Sequence, residues 1–325
     1  MFITGRPGVL LAGLAIAAVS ALLIALVSGS ADIGIAEIFG GDGGDEIIRN
    51  VLDLRLSRAL TAFAIGGLLA VAGVLMQVLL RNPLAEPYIL GTSGGAAVAA
   101  LLAMILGMSS LIVDLAAFGG AMAATLLVFS IARGTGSWAP AKLLLTGVVL
   151  AAGFSAATTL LLALSPDSNL RGMLFWLMGD LSYALDPERS LITLGILVAS
   201  GMLAARHLNV LSRGELQAAI LGLPVTGFRY LVFAAASLAT ALSVTTVGVI
   251  GFIGLVVPHL IRLAAGSDHR IVIPASALAG GCLLVIADTL ARTVMAPRQL
   301  PVGALTAAIG VPLFLILMSR SQKSR

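Results

Sequence analysis

The 325-residue chain is 59% hydrophobic and 10% charged, with 37 glycines and a mean hydropathy of +1.09. A soluble domain carries about 25% charged residues, so this balance excludes an ordinary soluble enzyme, and apolar runs that are continuous rather than alternating favour membrane helices over a β-barrel. The net charge of +4 comes from basic residues scattered through loops, which fits membrane topology better than a nucleic-acid partner, and the lone Cys282 excludes an intrachain disulfide or a thiolate metal centre.

The first apolar run, Val9 to Val27, follows Arg6. It is longer than the hydrophobic region of a signal peptide, about 7–15 residues, and reads as a retained first helix, with cleavage near VSGSAD as the alternative. Residues 29–54 are acidic and glycine-rich (Asp32, Glu37, Asp42, Asp45, Glu46, Asp53), with a short surface helix expected over Glu46–Leu52. Helix 2 is expected over 57–80, then the turn RNPLAEP, helix 3 over 92–107 and helix 4 over 112–132. Helix 5 runs from Leu143 to Leu164, and the amphipathic stretch that follows, carrying Trp176, reads as an interfacial helix. Helix 6 is expected over 190–205.

The polar segment His207–Arg229 contains Ser212 and Glu215, an S-x-x-E spacing that predicts a capping box opening a short helix. Gly222 followed by Pro224 is its stop signal. Helix 7 (228–248), a short helix 8 containing Pro258, helix 9 (272–290) and helix 10 (303–318) complete one polytopic all-α domain of about ten crossings. With both termini inside, the inner loops hold 12 of the 19 basic residues and only Glu86, Glu215 and Asp268 of the acids, so the basic bias favours N-in, C-in.

Several constellations admit two readings. Gly66, Ala70, Gly73 and Gln77 share one face of helix 2, as a tight helix–helix contact with Gln77 bonding a neighbour, or as a pathway lining. Pro83 and Pro87 bracket a turn that holds Asn82 and Glu86 extended, as structure or as a gate. Asp288 and Arg292 are four apart late in helix 9, as an intrahelical pair or as functional charges. His259, after Pro258, is a buried histidine at a kink or a proton relay. There is no G-x-x-x-x-G-K-[ST], nucleophile–base pair or metal-ligand spacing, so nothing points to an enzyme, to a metal site or to ATP held by this chain.

The motifs RLSRAL (55–60), NPLAEPYILGTSGGA (82–96), LRGMLFWLMG (170–179), GVIGFIGLVVPHLIRL (248–263), ADTLAR (287–292) and LPVGALTAAIGVPLF (300–314) span nearly the whole chain in order. In them the chain resembles the FecCD-type permeases of bacterial type II ABC importers, which carry vitamin B12, haem and ferric siderophores. The resemblance implies a multi-pass protein of the bacterial inner membrane, with ten helices per subunit and a homodimer enclosing a path on its two-fold axis. It also implies two cytoplasmic ATPase subunits, which hold ATP and Mg, and a periplasmic binding protein. It assigns binding-protein docking to Arg55, Arg58 and Arg292, and the cytoplasmic gate to Asn82, Pro83 and Leu84. It assigns ATPase coupling to the segment with Ser212, Arg213, Gly214, Glu215, Ala218, Leu221 and Gly222. Pro140 and Ala141 stand at a second gate position where this sequence departs from the B12 permease's polar residues, and Ser57 stands where the family commonly has proline, a change expected to loosen the start of helix 2. An ion-coupled secondary transporter is the alternative function; it would need ionisable groups or broken helices meeting at mid-membrane.

Overall fold

The computed structural model describes residues 7–29, 46–133, 140–182 and 186–322. The acidic stretch through Asp45, the loop containing Trp138, Arg6 and the last three residues lie outside them. The helices are α1 (Pro7–Val27), α2 (Glu46–Leu80), α3 (Thr92–Ile105), α4 (Ser110–Arg133), α5 (Pro140–Leu164), α6 (Asp167–Met178), α7 (Pro187–Leu203), α8 (Ala205–Ser212), α9 (Glu215–Ile220), α10 (Val225–Val247), α11 (Ile253–Ala265), α12 (His269–Thr293) and α13 (Val302–Gln322). A 3-10 turn, Pro87–Leu90, lies before α3.

Among the described residues six helices are long and apolar enough to cross a membrane, and seven if α7 and α8, bent by 64° at their junction, count as one span. α3, α11 and the apolar part of α13 are shorter. The ten helices expected from the sequence correspond to seven helices or bent pairs of spanning length and three shorter apolar ones. Helix 6 ends earlier than expected, at Leu203, and the chain turns into α8 rather than a polar loop.

α2 is the interior post of the fold. The expected surface helix and helix 2 are one unbroken helix of 35 residues. Ser57 sits within it with its carbonyl accepting from Thr61 Oγ1 at 2.8 Å, so serine in place of the family's proline continues the helix rather than loosening its start. A proline there would have removed a backbone donor. Ile65, Leu68, Leu69 and Met76 are fully buried, and α12, α11, α10, α7 and α1 all pack against α2.

The face carrying Gly66, Ala70, Gly73 and Gln77 explains how these helices come so close. A Cβ on Gly66 would strike the Gly280 carbonyl of α12, and one on Gly73 would strike the Gly254 carbonyl of α11. Without a hydrophobic driving force between helices in lipid, such backbone approach and polar bonds supply the association. Gln77 completes the contact: its Nε2 donates to the Gly254 and Leu255 carbonyls at 3.4 and 3.3 Å, and its Oε1 accepts from Arg262. Within the chain this face is a helix–helix contact and not a pathway lining.

A second core of Ala96, Ala100, Val113, Ala117, Ala121, Ala241 and Val244 joins α3, α4 and α10. Gly73→Leu is expected to abolish recovery of monodisperse protein in detergent. Gly195→Ala, at an exposed position on α7 with nothing within 4 Å of the added carbon, is expected to leave it unchanged; size-exclusion chromatography of the two variants reads the difference.

Candidate functional site: two polar clusters at opposite ends of the central helix

At one end of α2 the three predicted docking arginines come together, but they point inward. Arg55 is 6% and Arg292 7% exposed. Arg55 Nη1 donates to the carbonyls of Leu26 and Val27 at 2.9 and 3.2 Å, and Arg292 Nη2 to that of Ala25 at 3.3 Å. Those are the orphan carbonyls of the α1 C-terminus, where cations also meet the negative end of the helix dipole. Arg58 grips Asp288 through Nε (3.0 Å to Oδ2) and Nη2 (2.7 Å to Oδ1), and Arg292 Nε lies 3.1 Å from the same Oδ2. The i,i+4 pair read from the sequence is therefore present, as one arm of a triad. Arg58 also reaches the rim, with Nη1 3.4 Å from both Ser182 Oγ and Gln299 Oε1.

Asp288 is 1% exposed and faces two guanidiniums. Bidentate arginine–carboxylate geometry is the strong form of the charge-assisted bond, and removing one member of a buried pair leaves an uncompensated charge costing about 3–5 kcal/mol.

At the other end the RNPLAEP turn closes α2. Arg81, in the left-handed region at φ 48°, donates its N–H to Val78 O, and the Asn82 N–H reaches Gln77 O at 3.2 Å. This is a Schellman arrangement with arginine where glycine is usual. Asn82 Oδ1 accepts the Leu84 N–H at 2.9 Å, folding the turn around itself and leaving the Leu84 side chain 38% exposed beside exposed Pro83. Glu86 and Tyr88 continue the segment inward: Glu86 Oε1 accepts the Phe252 N–H at 2.8 Å, at the start of α11, and Tyr88 Oη accepts the Ile250 N–H at 3.3 Å. Sequence reasoning singled out this turn but missed these two anchors.

The coupling segment lies beside the turn, and its predicted cap is corrected. Ser212 ends α8, where its hydroxyl donates to Asn209 O at 2.8 Å, and α9 starts at Glu215 after Gly214 with no side-chain cap. Gly214 (φ 130°) interrupts the helical path, so Ser212 cannot reach the N3 position that a capping box requires. The predicted stop is present: Gly222 at φ 81° and a Leu223 N–H to Ala218 O bond at 3.0 Å end α9.

Ala218 is fully buried, while Leu216 and Ile220 are each 76% and Leu221 68% exposed, with Arg213 exposed alongside. The Glu215 Oε1 atom lies 2.7 Å from Arg229 Nη1, of α10, and 3.7 Å from Arg81 Nη2. Nearby, Asn209 of α8 holds the start of α12: its Nδ2 donates to Asp268 Oδ1 at 2.8 Å, and its Oδ1 accepts the His269 N–H at 2.9 Å. The Asn209 bond, with the Arg270 N–H adding to it, keeps the Asp268 carboxyl below the usual range. That contribution is present above the ordinary carboxylate pKa and is lost as pH falls through the lowered one.

His259 is half-buried just after Pro258 in α11. Ala141, at the second gate position, is exposed at the start of α5. Among the described residues no cluster of three or more His, Cys, Asp or Glu could hold a metal ion.

The comparisons with known proteins agree over nearly the full length. The sequence profile of the FecCD transport family matches residues 15–320. The chain is 40% identical to the hemin transport system permease protein HmuU of Yersinia pestis, over 94% of this chain and 95% of that protein. It is 37% identical to the vitamin B12 import system permease protein BtuC of Shigella boydii, covering 93% and 92%. A solved structure described as an inward-facing conformation of a metal-chelate type ABC transporter superposes with a TM-score of 0.84 at 29% identity, over 97% of this chain and 99% of that one.

Asp288→Asn is expected to lower the thermal midpoint in detergent by several degrees. Arg171→Gln, on the surface helix α6, is expected to leave it within error.

Proposed function

As the chain belongs to the FecCD transport family, we propose that it is the permease of an ATP-driven importer in a bacterial inner membrane. It takes haem, cobalamin or a ferric siderophore from a binding protein and releases it to the cytoplasm. The haem and vitamin B12 transport of HmuU and BtuC supports the first two cargoes. The observation that carries the reading is the tip of α9, a six-residue helix that, with the residue after it, turns Leu216, Ile220 and Leu221 outward at the same end of α2 as the gate turn. A cluster of exposed apolar side chains rimmed by charge, on a polar segment rather than a membrane span, has the character of a protein-docking surface. Its partner in this reading is one of two cytoplasmic ATPase subunits.

Two copies of the chain would enclose the path. α5 supports that role: nearly all of it is uncovered within one chain, and Ala152, Gly153, Ser155, Ala156 and Thr159 lie exposed along it. Small and hydroxyl residues allow close helix approach and offer a mildly polar wall. Nucleotide-driven motion of α9 would then switch the turn at Asn82, Pro83 and Leu84, giving alternating access.

At the far end, the binding protein would dock over the surface above Arg58, whose Nη1 reaches the rim at Gln299. Arg55 and Arg292 support that surface from beneath by fastening α1. Charge pairs at such a rim steer and register docking more than they add affinity.

The ion-coupled alternative draws on His259, half-buried after Pro258 in the short helix α11, as a proton relay. A transporter of that kind would run without an ATPase. Replacing Leu216, Ile220 and Leu221 together by serine is expected to abolish co-purification with the partner ATPase while the permease stays monodisperse. Undiminished co-purification would refute the coupling assignment.

A further inference from the structure

One carboxylate at the gate-turn end of the molecule joins three elements: α9, α10 and the end of α2. Glu215 is the first residue of α9, Arg229 stands in the first turns of α10, and Arg81 is the residue on which α2 turns into the gate segment. The Glu215–Arg229 contact is short, 2.7 Å, and Arg229 is 4% exposed, so this arm is fixed in protein. The Arg81 arm is longer, 3.7 Å, and its side chain is 45% exposed, so it holds by charge and can lengthen or shorten. Arg81 itself occupies a left-handed backbone position, with its N–H and that of Asn82 both bonded back into α2. A pull on its guanidinium therefore acts on the peptide that leads straight into Asn82.

We propose that Glu215 is the strut between the ATPase-docking helix and the gate: displacement of α9 is carried through its carboxylate to Arg81, and from Arg81 to the Asn82 turn, while Arg229 anchors the strut to α10. The proposal rests on the ATP-driven reading given above and adds to it a named mechanical link. An exposed ion pair contributes little to stability, about 0–1 kcal/mol, so Arg81 is placed to transmit motion rather than to hold the fold. Coupling claims of this kind require an element with two arrangements that both sites bias; in this proposal that element is the Glu215–Arg81 arm, at 3.7 Å here and lengthened when α9 is displaced. Arg81, Glu215 and Arg229 act here as positioning residues, through Asn82.

The test uses the permease with its ATPase and binding protein in proteoliposomes, with haemin and cyanocobalamin as cargoes, and reads cargo moved per ATP hydrolysed. Arg81→Met is expected to lower that ratio at least fivefold, and Arg81→Lys to restore at least half of it. The double swap Glu215→Arg with Arg229→Glu keeps an ion pair but reverses the charge facing Arg81; its ratio should stay low until Arg81→Glu is added. A purely structural role would reduce the amount of assembled complex and leave the ratio unchanged. A wild-type ratio in Arg81→Met, or full recovery in the double swap without Arg81→Glu, would overturn the strut. Wild-type vesicles that move cargo at the same rate without ATP would instead overturn the ATP-driven reading itself.

Discussion

Where α2 crosses α12 and α11, glycine faces glycine, and the backbones lie so close that a single β-carbon at Gly66 or Gly73 would collide with a carbonyl. Dispersion over such short distances, with Gln77 and Arg262 closing the polar end, holds the centre of a protein that has no water-driven collapse within the bilayer. Everything that bears on function hangs from the two ends of this post. The triad at Asp288 fastens α1 and α12 to one end, and the Schellman turn at Arg81 and Asn82 finishes the other.

The polarity of the two ends agrees with the charge-derived topology. Residues assigned outside by the basic bias (Arg55, Arg58, Asp288, Arg292) meet one another, and residues assigned inside (Arg81, Glu215, Arg229, Asp268) lie on neighbouring elements at the opposite end. The arginines on the acidic side persist for a physical reason that is independent of docking: they satisfy the α1 C-terminus and the Asp288 carboxylate. Docking and anchoring are compatible only at Arg58, whose guanidinium has one edge on Asp288 and the other towards Ser182 and Gln299.

Much of this was legible in the sequence, and the gaps have identifiable causes. The spacing of Gly66, Ala70, Gly73 and Gln77 announced a contact face because helix periodicity is local; its partners, Gly280 and Gly254, are about two hundred residues away and carry no local signal. The i,i+4 spacing of Asp288 and Arg292 was readable, whereas Arg58, 230 positions from Asp288, was not readable as their partner. The S-x-x-E pattern misled because a glycine at 214 broke the path between its ends, freeing Glu215 for tertiary ion pairs. Ser57 misled in the other direction, since a helix with no proline between Glu46 and Leu80 simply continues. The exposure of Leu216, Ile220 and Leu221 depended on how α9 settled with Ala218 inward, which no periodicity over six residues reveals.

The most direct test of the account is uptake into proteoliposomes holding the permease, its ATPase and its binding protein, with ATP inside or outside the vesicles and with the ATPase's P-loop lysine intact or replaced. The account predicts that haemin or cobalamin accumulates only when ATP is on the ATPase side and the lysine is present. Accumulation that persists with the lysine replaced, or that follows an imposed proton or sodium gradient without ATP, would contradict it.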